Sequence, residues 1–274
     1  MNGAAMHSRL GGWTDIWMRG GWRVRQHTSG RVSTLGPDGK IIRGDPSVTL
    51  DDHIRQARHQ APRCRSSRGV ILLHGLYHHP GVLSGMESVL RGRGFEVSNM
   101  GYSSAHARFW DTADRVAGVA ASQAEDGVTS ICFVGHSLGG LLAREAASRA
   151  RAKGVKVDAL VLIGSPARGA RMASLVRGFI GPCRDVLVPD PFHAVAQPEA
   201  RFLVVAGGTG GIGFNPLLGE DNDGVVGVSE TKLTGGQFHL VRALHTPMAR
   251  HPHTISLTQA FLDRQPNPGN LCHE

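Results

Sequence analysis

A serine enclosed by glycines is the residue of this chain best placed for nucleophilic chemistry. Ser137 lies in the sequence Gly-His-Ser-Leu-Gly-Gly at 135–140, directly after the apolar run 130–134 and directly before the amphipathic stretch 138–152. A strand, a sharp turn and a helix in this order expose the serine hydroxyl, and the glycines let the two backbones pack closely. The pattern therefore predicts a nucleophilic serine held in a strained backbone conformation.

A nucleophilic serine needs a base, because its hydroxyl is weakly reactive at neutral pH. A histidine that is itself oriented by a carboxylate can take the hydroxyl proton. The acidic candidates beyond the helix are Asp158, Asp185, Asp190, Glu199, Glu220, Asp221, Asp223 and Glu230. The histidine candidates that follow are His239, His245, His251, His253 and His273. The residue types alone leave the choice among them open.

The elements that must position these residues follow a regular pattern from residue 69 onward. Short apolar runs alternate with amphipathic stretches, which is typical of an α/β fold with a mostly parallel sheet and helices on both faces. The predicted strands are 70–73, 95–98, 130–134, 157–163, 202–206 and 238–241. The predicted helices are 83–91, 109–122, 138–152 and 254–262.

The part of the chain before this pattern has a different character. Turn residues separate short predicted strands over 22–43, a short helix is expected within 47–60, and 61–68 is an arginine-rich linker. We therefore predict an N-terminal extension at 1–68 and a catalytic domain at 69–274. Tryptophans near the start are compatible with contact to an anionic membrane, but glycines interrupt the apolar spacing, so packing onto the core is favoured.

The sequence around Ser137 resembles the α/β-hydrolase family, and within it the bacterial esterases and lipases whose nucleophile turn reads Gly-His-Ser-Leu-Gly-Gly. The resemblance covers about residues 69–263, and it implies the chain order serine, acid, histidine. The sequence Asp223-Gly-Val-Val is similar to the acid loop of these lipases, with Asp221 as the nearest rival. His245 lies between the last strand and the closing helix, where the family has its histidine.

The same resemblance implies an oxyanion hole. In the family the first core strand ends in a His-Gly pair, here His74 and Gly75, and the backbone amides of Leu76 and Leu138 are the implied donors. Such donors stabilise the negative charge that develops on the carbonyl oxygen during attack, and a helix that begins at Leu138 adds its dipole. His74 is expected to be structural. The turn 164–169 is expected to shape the pocket, and Ser165 within it lacks the strand–turn–helix context of a nucleophile.

The activity that the resemblance implies is hydrolysis of carboxylic esters through an acyl-enzyme. The substrate would be a small-molecule or lipid ester, and no metal or organic cofactor is required. Acyltransferases, thioesterases, lysophospholipases and amidases use the same three residues, and a non-catalytic binding protein on the same fold is the alternative of another class. The irregular stretch 170–200 is equally compatible with a cap or lid over the site and with an ordinary crossover.

Composition excludes several other classes. The 30 Lys and Arg against 22 Asp and Glu give a net charge of +8. The basic residues cluster at 55–68 without interleaved aromatic residues, so we expect a solvated basic face and no nucleic-acid partner. The 4 cysteines are too widely spaced to bind zinc. The sequence has neither the apolar segment of a signal peptide nor an apolar run of about 18 residues, which predicts a cytoplasmic protein.

Overall fold

A computed structural model of the chain describes residues 12–44, 47–64, 66–167, 169–171 and 195–264. Its strands are β1 Trp13–Arg19, β2 Trp22–His27, β3 Val32–Leu35, β4 Ile41–Arg43, β5 Arg68–Leu73, β6 Glu96–Met100, β7 Ser130–His136, β8 Val157–Ile163, β9 Arg201–Gly207 and β10 Gln237–Val241. Its helices are α1 Leu50–Gln60, α2 Ser84–Gly92, α3 Phe109–Glu125, α4 Leu138–Ala152, α5 Val228–Thr231, α6 His245–Met248 and α7 Pro252–Asp263.

A parallel sheet with the strand order β10-β9-β8-β7-β5-β6 forms the centre of the molecule. Alternate residues of β5 point to opposite faces, as strand geometry requires. Ile71 and Leu73 pack in a core with residues of α3 and α4, whereas Val70 and Leu72 pack in a second core with residues of α2 and α7. The predicted α/β architecture with helices on both faces is therefore confirmed.

The elements predicted beyond residue 69 are all present, with their ends displaced by a few residues at most. Strand β1 is missing from the prediction, because its sequence Trp-Thr-Asp-Ile-Trp-Met-Arg has two polar and then three apolar residues in a row and lacks the alternation that indicates a strand. The short helix α6 is also missing from it. A single turn buries too little surface to leave a periodic pattern in the sequence.

The N-terminal strands β1 to β4 form a separate antiparallel sheet. Trp17 is only 1% exposed and packs with side chains of β2 and α1. Strand β1 lies along β6: the amide of Asp15 donates to the carbonyl oxygen of Gly101 over 2.9 Å, and the amide of Gly101 donates to Oδ2 of Asp15 over 2.7 Å. The N-terminal sheet is thus joined to the edge of the central sheet.

A buried arginine joins the N-terminal sheet to the C-terminal ends of α1 and α3. Nη1 of Arg19 lies 3.0 Å from Oδ1 of Asp126, and its Nη2 donates to the carbonyl oxygens of Ala61 and Arg58. Burial raises the pKa of Asp126, although Arg19 and Arg58 oppose that shift. The carboxylate therefore depends on these two cations to remain charged inside the protein.

Replacing Arg19 by methionine is expected to lower the free energy of unfolding by about 2 kcal/mol, because Asp126 would lose its nearest cation while still buried. Urea unfolding measures the loss. In the double variant Arg19→Met with Asp126→Asn no charge is left unpaired, so we expect it to lose less than the sum of the two single variants. Strictly additive losses would show that the ion pair does not couple the two residues.

Candidate active site

Ser137 occupies the turn between β7 and α4 with φ 55° and ψ −123°, a backbone region that non-glycine residues rarely adopt. Its amide donates to the carbonyl oxygen of Ile163 over 2.8 Å, which fixes the turn against β8. A Cβ at Gly135 would lie 2.1 Å from the carbonyl oxygen of Gly139, so the strand and the helix approach each other closely at this point. The glycines thus permit a turn that presents the serine hydroxyl.

The structure brings Ser137, His245 and Asp223 together in one line of hydrogen bonds. Nε2 of His245 lies 2.9 Å from Oγ of Ser137, and Nδ1 of His245 lies 2.6 Å from Oδ2 of Asp223. Since ionised Asp223 can only accept, the Nδ1 proton faces Asp223 and the Nε2 lone pair faces the serine. This is the geometry that a histidine base requires.

Asp223 is held by backbone groups on every side. Its Oδ1 accepts from the amides of Val225 over 3.0 Å and Val226 over 2.7 Å, and its carbonyl oxygen accepts from the amide of His245 over 2.9 Å. The residue is only 1% exposed. One carboxylate oxygen is therefore anchored by the loop, and the other is left for the histidine.

The rival acid Asp221 forms hydrogen bonds within its own loop. Its carboxylate accepts from the amides of Thr209, Gly210 and Asn222. Although burial alone would raise the pKa of Asp221, the hydrogen bonds from Thr209 and Gly210 bring it below its ordinary value. A carboxylate occupied in this way has no histidine partner among the described residues.

The rival histidines and the rival serine lie outside this line of hydrogen bonds. His239 is exposed on β10, and Nδ1 of His251 accepts from the amide of His253 at the start of α7. Ser165 is buried, and its Oγ has no hydrogen-bond partner in the described part of the chain. His273 lies outside the described residues.

Two backbone amides near Ser137 in the chain or in space have no acceptor among the described residues. Leu76 follows β5 and Leu138 begins α4, and neither amide donates a hydrogen bond within the ranges that the structure describes. A Cβ on Gly75 would lie 3.1 Å from Cβ of Ser137, so the Leu76 loop passes directly beside Ser137. Tyr77 in this loop has a left-handed backbone conformation, with φ 57°. Its amide donates to Oγ of Ser104 over 3.0 Å, which ties the loop to the segment after β6.

Two buried histidines support the site from behind. Nε2 of His136 donates to the carbonyl oxygen of His245 over 2.9 Å, and Nδ1 of His74 donates to that of Gly75 over 2.9 Å. The other ring nitrogen of each histidine is buried without a partner among the described residues. The structural role expected for His74 fits this contact. The contact of His136 has no signal in the sequence beyond its place in the motif.

Burial lowers the pKa of both histidines, that of His74 from 6.5 to about 4 and that of His136 well below its ordinary value. The unfolded chain binds these protons below about pH 6.5, but the folded protein excludes the proton of His74 down to about pH 4. The free energy of unfolding should therefore fall as the pH falls through this range. We expect His74 alone to contribute a loss of roughly 2–3 kcal/mol between about pH 7.5 and about pH 4.5.

Urea unfolding at the two pH values measures this loss. The matched variant is His74→Asn, which keeps a donor for the carbonyl oxygen of Gly75 but does not titrate. Acid should destabilise this variant by roughly 2–3 kcal/mol less than the wild type. An equal loss in both proteins would show that His74 does not carry the effect.

The irregular stretch predicted at 170–200 is described only at its ends, because 172–194 lie outside the described residues. Buried Arg144 of α4 lies between the two described ends: it donates to the carbonyl oxygens of Ala167, Val195 and Ala196.

Within the described ranges, no group of three or more His, Cys, Asp or Glu is arranged to hold a metal ion. The described helices also include none that is long and apolar enough to cross a membrane.

Comparison with known proteins finds similarity at the level of the fold. A model of the thioesterase domain family matches residues 90–176, a stretch that contains Ser137. No match was found among curated proteins. The mature lipase of Bacillus licheniformis aligns with a TM-score of 0.60 at 15% identity, over 71% of this chain and 91% of the lipase.

The propeptide form of the same lipase gives a TM-score of 0.62 at 15% identity over 75% of this chain, which spans only 52% of that form. A carboxyl esterase of metagenomic origin gives 0.52 at 16% identity, over 73% of this chain and 76% of the esterase. At these identities the likenesses show the fold, and the fold is the one that the resemblance noted from the sequence implies. The chain has the α/β-hydrolase fold.

Proposed function

We propose that this protein is a serine hydrolase that cleaves carboxylic esters, with Ser137 as nucleophile, His245 as base and Asp223 as its orienting acid. The observation that carries the proposal is the unbroken line of hydrogen bonds, 2.9 Å from serine to histidine and 2.6 Å from histidine to aspartate. Three residues that are distant in the chain meet in the order that nucleophilic catalysis needs.

In the first step Oγ of Ser137 attacks the acyl carbon while Nε2 of His245 takes the hydroxyl proton. Asp223 stabilises the imidazolium that forms, and its anchored carboxylate keeps the ring in the required orientation. The same proton then passes from Nε2 to the oxygen of the departing alcohol. The acyl group is left as an ester on Ser137.

The negative charge of each tetrahedral intermediate would be stabilised by the amides of Leu76 and Leu138. Donors that are already oriented need no rearrangement when the charge develops. Leu138 also lies at the N-terminus of α4, where the helix dipole favours an anion. In the second step His245 takes a proton from water, which attacks the acyl carbon. The bond to Oγ of Ser137 then breaks, His245 returns the proton to Oγ, and the acid is released.

Thioester hydrolysis is the second candidate, because the family model that matches residues 90–176 is that of a thioesterase domain. The same attack on the acyl carbon would release a thiol instead of an alcohol.

As for the organisation of the chain, we propose that 69–274 form the catalytic unit and that 1–68 are an extension joined to it through β1.

The test is turnover of p-nitrophenyl esters of increasing acyl length, and of the matching thioesters, together with labelling by a fluorophosphonate. Labelling and hydrolysis at Ser137 would support the proposal, and the ratio of ester to thioester turnover would separate the two candidates. A folded protein that neither labels nor hydrolyses any of these substrates would overturn it in favour of a binding function.

A further inference from the structure

A cavity of about 460 Å³ opens beside the proposed catalytic residues and has no role in the mechanism above. Its wall is formed by the segment after β5, the loop 102–106 after β6, and a residue that follows α6. The residues that carry the argument are His78, His79, His106 and Arg250. Among the described residues that line the cavity there is no aspartate or glutamate.

The cavity is close enough to the nucleophile to hold part of the same substrate. Cβ of Ser137 and Cδ2 of His78 lie 3.1 Å and 3.3 Å from the point that a Cβ on Gly75 would occupy. Nε2 of His78 lies 3.4 Å from Oγ1 of Thr246, the neighbour of His245 in the chain. His78 therefore lies between the cavity and the line of hydrogen bonds.

The electrostatic environment of the cavity favours an anion. The pKa of His78 is lowered first by its burial and then by His245, His79 and Arg250, because a proton on His78 would lie close to other groups that can carry positive charge. The guanidinium of Arg250 makes no ion pair or hydrogen bond within the described part of the chain. A cationic fork without a carboxylate partner, beside three histidines, offers hydrogen bonds that a bound anion would accept.

We propose that this cavity binds an anionic group of the substrate and that Arg250 is the specificity-determining residue for it. The inference rests on the proposed function, since the anion would be part of the ester that Ser137 attacks. A carboxylate fits the donors, because a guanidinium and a carboxylate form two parallel hydrogen bonds. The protein would then prefer esters with a second, charged end.

Two matched pairs of substrates test the proposal on the two sides of the ester bond. The acyl pair is p-nitrophenyl hydrogen adipate against p-nitrophenyl methyl adipate, and the alcohol pair is p-acetoxybenzoate against its methyl ester. For the wild type we expect kcat/KM to be about tenfold higher for the charged member of one pair. In Arg250→Gln this ratio should fall about tenfold, mainly through KM, and in Arg250→Lys it should fall less. Arg63→Gln, which removes an exposed charge outside the cavity, should keep the ratio.

A ratio near one in both pairs for the wild type, or a preference that survives Arg250→Gln, would overturn the inference. A second measurement tests the anion site independently of the proposed catalytic activity. Ser137→Ala protein is titrated with adipate in a calorimeter, and adipate should bind about tenfold more weakly when Arg250→Gln is added. If no ester is hydrolysed but this binding is observed, the catalytic proposal fails and the anion site stands. Absence of binding removes the anion site.

Discussion

Replacing Ser137 by alanine is expected to lower kcat for a p-nitrophenyl ester by about a millionfold. Without Oγ there is no acyl-enzyme, and the remaining rate comes only from the amides and the binding site acting on water. Labelling by a fluorophosphonate should disappear in the same variant. The fold should remain, since alanine at this position removes one hydroxyl and leaves the packing of β7 against α4 unchanged.

The matched control for this variant is Ser165→Ala. Ser165 is buried in the turn after β8, and its hydroxyl has no hydrogen-bond partner among the described residues. We expect this variant to keep both labelling and most of its turnover. The role proposed for Ser137 would be refuted if Ser137→Ala kept wild-type turnover or if labelling persisted in it and vanished in Ser165→Ala.

The second large effect is expected for Asp223→Asn, which should lower kcat about 10⁴-fold. Oδ1 of Asp223 accepts from the amides of Val225 and Val226, so the asparagine oxygen must take that place. Its amide nitrogen then faces Nδ1 of His245 and donates to it. The histidine proton is forced to Nε2, from which it points at Ser137, and the base can no longer accept.

Asp221→Asn is the matched control for the choice of the acid. Asp221 accepts only from groups of its own loop, so its replacement should cost some stability but little turnover. Measuring kcat and urea unfolding for both variants separates the two effects. If Asp221→Asn lost more kcat than Asp223→Asn, the orienting acid would be Asp221, and the choice of Asp223 would be wrong.

Much of the fold follows from local pattern. The apolar runs and amphipathic stretches beyond residue 69 each bury one face or both, so their periodicity already identifies them as strands and helices. The turn at Ser137 is also local, because its glycines are required by the close contact of two backbones. Strand β1 lacks such a signal: its burial depends on α1, α3 and β6, which lie far from it in the sequence.

The residues of the candidate site also differ in whether the local sequence is enough to identify them. Ser137 can be found from its own neighbours, whereas the choice of Asp223 over Asp221 needs either a resemblance or the coordinates, since two residues of the same type lie two positions apart. The contact of His136 with the carbonyl oxygen of His245 and the approach of Arg250 to His78 depend on how distant segments pack. No periodicity in the sequence encodes such contacts.

The position of β1 along β6 has a consequence for association between copies of the chain. The outer strand of an open sheet presents N–H and C=O groups that can pair with a strand of another molecule, which is a route to aggregation. In this protein β1 occupies that flank, with Asp15 bonded to Gly101 at one end and the amide of Gly20 lying 3.4 Å from Oε1 of Glu96 at the other. The N-terminal sheet thus covers one edge of the central sheet, and we expect it to keep that edge from pairing with a strand of another molecule.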